Sequence, residues 1–262
     1  MVAVEPVEAT TKPTWLLAQR WSDLLFAHWP VDAEALARHL PAGVEPDLHE
    51  GQAWAAIVAF RMVGTRPAAG PRRLTLGPIP ELNVRTYVRV RGVPGVWFLS
   101  LDASSPFFVT AGRALYGLPY RLARMTTLVD GERIHYLSSR RGASFAASYE
   151  PCGASDHAEP GSLEHFLVER YRLFSLWRGH LITALVAHER WPLQPVSARI
   201  DVNRMAPAGL PFRGRPILHF SRSVDARISV PQSLSALQSS EWRDYATPLP
   251  PRRSRRTEPL RA

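Results

Sequence analysis

At 262 residues, 45% of them apolar and eight of them tryptophan, the chain can bury the core of one large domain or two small ones, and its 24 prolines and 16 glycines favour many short, β-rich elements. A single cysteine, Cys152, excludes an intrachain disulfide, no Cys/His pair has zinc spacing, and neither a signal segment nor a run of about 20 apolar residues is present, so a cytoplasmic protein without membrane contact is expected. The net charge of +9 comes from arginine at every Lys/Arg position except Lys12, and the clusters Arg72-Arg73, Arg140-Arg141 and Arg252-Arg253-Ser254-Arg255-Arg256 lack interleaved aromatics, which argues against nucleic acid as the partner.

Residues 15–29 read as a strand, with apolar runs around Gln19, Arg20 and Asp23, ended by Trp29-Pro30. A short helix follows, capped by Asp32, with Glu34 in its first turn and Leu36 and Leu40 on one side; Pro41 and Gly43 stop it. Residues 53–63 predict a strand and 64–80 a Pro/Gly-rich loop. Leu82, Val84, Thr86, Val88 and Val90 then alternate with Asn83, Arg85, Tyr87 and Arg89, giving one apolar and one polar face. Gly92 and Pro94-Gly95 turn the chain into a strand over 96–102. A helix over 107–116 is broken by Gly117 and Pro119, and a hairpin over 120–140 turns at Asp130-Gly131. A strand at 143–150, a helix over 163–170 capped by Ser162, and strands at 172–177, 181–188, 196–202 and 217–228 complete the series. The expected organisation is a flexible lead-in over 1–14, one strand-dominated α+β domain over 15–230, and a disordered Pro/Arg-rich tail over 231–262.

The run Gly112-Arg113-Ala114-Leu115-Tyr116-Gly117-Leu118-Pro119-Tyr120-Arg121 resembles the Gly-Arg-x-x-x-Gly-x-Pro-Lys-Lys motif of acetoacetate decarboxylases. In that family the first lysine forms a Schiff base with a β-keto acid and the second lowers its pKa. Here Tyr120 and Arg121 occupy those two positions, and an arginine stays protonated and cannot attack a ketone. Trp29-Pro30-x-Asp32-x-x-x-Leu36 leading to Leu40-Pro41 is also similar to that family, and Pro80–Arg85 looks like the strand carrying its active-site glutamate. A nearer resemblance is to the YqjF-like group, DUF2071. It rests on Leu25–Val31, Glu81–Val88, Gly117–Tyr120, Trp191–Gln194 and Leu218–Ser221, and spans most of residues 15–230. The resemblance implies an acetoacetate-decarboxylase-like β-barrel fold with a few short helices, and it implies no reaction.

Glu81, Asn83 and Arg85 share one strand face. If that face lines a barrel, Glu81 is a candidate general acid/base with Asn83 and Arg85 as donors; an adjacent arginine would hold its pKa low, and a plain Glu81–Arg85 salt bridge is the competing reading. Tyr120 is a candidate acid or oxyanion donor if an arginine lowers its pKa, or else an interior tyrosine bonded to a carbonyl. Arg113 fits carboxylate recognition, with a helix-surface role as the alternative, and Arg124 is a second arginine that could reach the pocket. His28 is a proton carrier or a core histidine, and Asp102 a partner for an arginine. His188-Glu189 lacks metal-site spacing, no serine sits in a nucleophile elbow, and no glycine run has phosphate-loop spacing, so no metal and no cofactor are expected.

Together these residues predict a lyase or isomerase acting on an oxo-acid, a small carboxylate held by arginine, by non-covalent acid/base chemistry. A non-catalytic binding protein on the same fold is the alternative, and a barrel with a filled interior is a third. A homo-oligomer is compatible with the family.

Overall fold

The computed structural model describes residues 13–70 and 75–234. Lys12, Arg72-Arg73 and the arginine-rich tail lie outside the described residues. The elements are β1 (Trp15–Val31), α1 (Ala33–Ala37), β2 (Glu45–Pro46), β3 (Ala53–Pro67), β4 (Ile79–Val90), β5 (Val93–Ala103), α2 (Pro106–Tyr116), β6 (Tyr120–Leu122), β7 (Arg124–Asp130), β8 (Arg133–Arg140), β9 (Ala143–Pro151), α3 (Leu163–Val168), β10 (Arg172–Trp177), β11 (His180–His188), β12 (Leu193–Gln194), β13 (Val196–Asn203), β14 (Ile217–Ser229) and β15 (Gln232–Ser233).

Seven strands close a barrel in the order β14-β1-β3-β4-β5-β10-β11, and Val186–His188 of β11 pair back onto β14 at Ile228–Ala226. Neighbours run antiparallel except β5 and β10, which are parallel. The short strands β2, β6, β12 and β15 attach to β4, β5, β14 and β11. A second sheet, β13-β9-β8-β7, lies against one side of the barrel. The fold is therefore strand-dominated, as the turn-rich composition implies.

Each central barrel strand has two buried faces. In β1, Leu24 and Phe26 point into the barrel with Val58, Phe60 and Tyr87, whereas Leu25, Ala27 and Trp29 join Ile57, Leu82 and Val84 against Tyr136, Phe145 and Tyr149 of the second sheet. This explains the unbroken apolar run Leu24-Leu25-Phe26, since a strand covered on both faces has no solvent side to alternate toward. The polar face of β4, Glu81-x-Asn83-x-Arg85, faces the barrel interior, which meets the condition left open by the sequence.

Asp32 caps α1 and Ser162 caps α3, each accepting a backbone N–H with its side chain. The β4–β5 turn falls on Arg91 and Gly92, both at positive φ, and Pro94-Gly95 already belong to β5, which begins at Val93, earlier than the expected 96. The segment expected to be a loop from 64 begins as strand, because β3 continues to Pro67 and Thr65 pairs with Leu76. The third helix stops at Val168, leaving Glu169 and Arg170 outside it. No helix among the described residues is long and apolar enough to cross a membrane.

Candidate active site

The α2–β6 segment positions one tyrosine. Gly117 ends α2 in the left-handed region at φ 61°, and a Cβ there would lie 2.2 Å from the Leu176 carbonyl oxygen. One turn earlier, a Cβ on Gly112 would lie 2.4 Å from the Tyr120 ring, so only glycine leaves the ring its place. Arg113 donates from Nε, at 2.8 Å, and from Nη2 to the Tyr120 carbonyl oxygen. Thus Gly112 and Arg113 of the motif seat residue 120, while Gly117 lets the chain leave α2 close against β10.

Tyr120 in turn donates its phenol hydrogen to Glu81 Oε2 at 2.7 Å, while Asn83 supplies a second side-chain hydrogen bond to the same carboxylate. From the second sheet, Tyr136 donates to the Glu81 carbonyl oxygen at 2.6 Å, fixing the backbone that carries the carboxyl. Burial pushes the Glu81 pKa up to about 7, against the lowering effect of the Tyr120 and Asn83 hydrogen bonds. Burial also drives the Tyr120 phenol well above its ordinary value, and the neighbouring Glu81 charge adds to the effect. At neutral pH, then, Glu81 is poised to exchange a proton, and Tyr120 keeps its own as a hydrogen-bond donor. The Glu81 shift corrects the sequence expectation of a carboxyl held low by an adjacent arginine, and the condition set for Tyr120, a phenol lowered by arginine, is not met. Arg85 lies four residues along the strand with its guanidinium over the rings of Phe26 and Tyr87, at 5.6 and 5.9 Å from their centroids, and forms no salt bridge with Glu81.

Glu81, Asn83, Arg85 and Tyr120 line one cavity of about 300 Å³. Its walls are apolar and aromatic: Trp21, Phe26, Phe60, Phe98, Leu173 and Trp191. Arg170 and His188 also reach it. Arg170 is neutralised by Asp47, to which Nη1 donates at 2.6 Å. His188 packs on Trp191 with ring centroids 4.7 Å apart, and burial lowers its pKa. Arg85, in contrast, forms no ion pair among the described residues; its hydrogen bond runs from Nη2 to the Leu167 carbonyl oxygen at 3.5 Å, and its Nε is buried without a partner.

Three sequence candidates fall outside this cavity. Arg113 serves the Tyr120 backbone from the exposed side of α2, so it is not placed to grip a carboxylate. Asp102 does find an arginine, but on the opposite side of β5: Arg140 Nε donates to it at 2.6 Å and Ser138 Oγ at 3.1 Å, tying the barrel to the second sheet. His28 is fully buried at the far end of the barrel interior, stacked on Phe26, and desolvation holds its pKa well below 6.5. Arg121 and Arg124 are exposed, and neither lines the cavity. The sequence reading missed Trp21, Arg170 and Trp191, and considered His188 only as a metal ligand. These wall residues come from β1, the segment between α3 and β10, β11 and the loop before β12, and no local pattern connects them. Among the described residues, no group of three or more His, Cys, Asp or Glu is placed to hold a metal ion.

The DUF2071 family, described as an uncharacterized conserved protein, matches residues 18–225. The chain belongs to the DUF2071 family. A DUF2071 relative, the uncharacterized protein YqjF of Bacillus subtilis (strain 168), is 39% identical over 216 residues, covering 80% of this chain and 89% of YqjF. Two solved structures share the DUF2071 fold seen here. The enduracididine biosynthesis enzyme MppR, complexed with pyruvate, superposes with a TM-score of 0.63 at 15% identity, covering 87% of this chain and 93% of MppR. An acetoacetate decarboxylase-like enzyme from Sphingomonas wittichii RW1 does so with a TM-score of 0.59 at 15% identity, covering 84% and 93%. The barrel is an acetoacetate-decarboxylase-like fold.

Proposed function

We propose that the cavity is the active site of a lyase or isomerase that moves a proton on an oxo-acid without forming an imine. The observation that carries this reading is the Tyr120–Glu81 hydrogen bond of 2.7 Å on the cavity wall, with the carboxyl raised to about 7. A base poised near the working pH combines adequate ionisation with adequate proton affinity. Ionised Glu81 removes a proton from the carbon next to the carbonyl, the electron pair moves to the carbonyl oxygen, and Tyr120 and Asn83 donate hydrogen bonds to the resulting enolate. Glu81, now carrying the proton, returns it to the same carbon or to another. Arg85, a cavity cation without a counter-ion among the described residues, takes the carboxylate. The binding of pyruvate by MppR supports an oxo-acid as the ligand class. Tyrosine stands where the decarboxylase motif has its lysine, and the chain's one lysine is Lys12.

The direct test is deuterium wash-in to pyruvate in heavy water, followed by NMR. Incorporation above the buffer blank should rise through pH 7 as Glu81 ionises, and Glu81→Gln should lower it by about 100-fold or more. Borohydride added with pyruvate should leave the intact mass unchanged; a stable adduct would overturn the non-covalent route. Thermal stabilisation by pyruvate with no wash-in at any pH would instead identify a non-catalytic binding protein, a reading favoured by the substitution of tyrosine for the nucleophile.

A further inference from the structure

The cavity is ordered along its depth. Through the strand register, Arg85 sits beside Ala56 and hence at the level of His28, deep in the barrel; Glu81 sits beside Phe60, nearer the middle. The opposite end is reached where Leu17 pairs with Pro67 and Thr65 with Leu76. At that end the lip carries Leu76, Phe107 and Leu115, which are 49%, 65% and 47% exposed. Large apolar side chains in water are individually unremarkable, but three converging on the rim of one aromatic-walled cavity mark a site for apolar matter. The inner half holds the Glu81 carboxyl, the unpartnered Asn83 Oδ1 and Arg85, which has no ion pair among the described residues. Toward the lip the polar lining is Thr65, Gln19, held by Met62 and Trp21, and Arg66, which donates to the carbonyl oxygens of Pro67, Ala68 and Gly70. Between the inner groups and the lip the apolar wall is Trp21, Phe60 and Phe108. A short oxo-acid would satisfy the inner groups and leave the rest of the 300 Å³ as water against hydrocarbon, an unfavourable arrangement.

We infer that the substrate is amphipathic: an oxo-acid with an extended aliphatic tail, its carboxylate at Arg85, its carbonyl at Glu81 and Tyr120, and its chain running out between Phe107 and Leu115. The inference rests on the proposed function for the identity of the head group, and on the cavity alone for the tail.

A series of unbranched 2-oxo-acids from pyruvate to 2-oxodecanoate tests it, with affinity read from the fluorescence of Trp21 and Trp191 and proton transfer read by deuterium wash-in. Each methylene buried should tighten binding roughly fourfold, levelling off once the tail reaches the lip. Phe107→Ser, at an exposed position where folding is not at stake, should lower the plateau for the longest acids. Equal affinity across the series would overturn the inference. Affinity rising with length but without wash-in at any length would uphold the apolar tail site and overturn the catalytic reading. Wash-in for pyruvate with no gain for longer acids would do the reverse.

Discussion

Glu81 and Tyr120 form a pair whose chemistry is set by dehydration. The carboxyl is lifted to about 7 because charging it inside the barrel sacrifices hydration that two hydrogen bonds only partly replace. The consequence for stability follows from the direction of the shift. A carboxyl whose folded pKa is raised above 4.5 favours the protonated form in the native state, so its stabilising contribution is complete below about pH 4.5 and is lost as pH rises through about 7. Glu81→Gln, which cannot ionise, should gain stability relative to the parent between pH 5 and pH 8, by up to on the order of 3 kcal/mol, measured by urea unfolding at the two pH values. Tyr120→Phe removes a hydrogen bond that lowers the Glu81 pKa, so the pH midpoint of wash-in should move upward. Gly112→Ala should reproduce the Tyr120→Phe effect without touching the phenol, because the new methyl displaces the ring that bears it.

At the scale of elements, the barrel and the second sheet are joined by buried polar contacts as well as by apolar packing. Tyr136 of β8 reaches the Glu81 carbonyl oxygen, Tyr149 of β9 donates to the Asp23 carbonyl oxygen at 2.9 Å, and Arg140 and Ser138 hold Asp102 of β5. Asp23 itself has φ 56° at the irregularity between Ser22 and Leu25 of β1, and its carboxylate takes Arg61 and Arg222. Asp102 is fully buried and Arg140 largely so; removing the acid leaves an unpaired guanidinium at the sheet interface. Asp102→Ala should therefore cost about 3 kcal/mol by chemical denaturation, at the lower end for a buried pair because Arg140 keeps some access to water. Its pyruvate affinity should stay that of the parent. A lost affinity with unchanged stability would place Asp102 in the site after all.

Over the whole molecule, two kinds of buried titratable group oppose each other. Glu81 loses stability as pH rises, whereas His28 and His188, held neutral by burial with pKa values below 6.5, contribute stability that is present above that value and lost as pH falls below it. With these two histidines, and the less deeply buried His219 whose pKa burial also lowers, acting against one carboxyl, thermal stability should peak near pH 6.5. Glu81→Gln should remove the decline above that pH and steepen the rise below it, as differential scanning calorimetry across pH 5–8 would show.

The sequence by itself determined the strand-rich class, most strand positions, both side-chain helix caps and the three polar residues of β4, because alternation, turn chemistry and capping are local and each is written within a few residues. The motif around Gly112 and Tyr120 was legible as a string, and its purpose was not: that glycine and arginine exist to seat a tyrosine ring requires the chain to return from α2 onto β5. Only the tertiary structure decided which face of β4 is inside, since a strand between a barrel interior and a second sheet is buried on both sides. It likewise separated Asp102 and Arg113 from the cavity and brought Trp191, His188 and Arg170 to it, across sequence distances over which local pattern carries no information. The raised pKa of Glu81 belongs to the same class. It is a property of water excluded by residues far apart in the chain, and no neighbour in the sequence announces it.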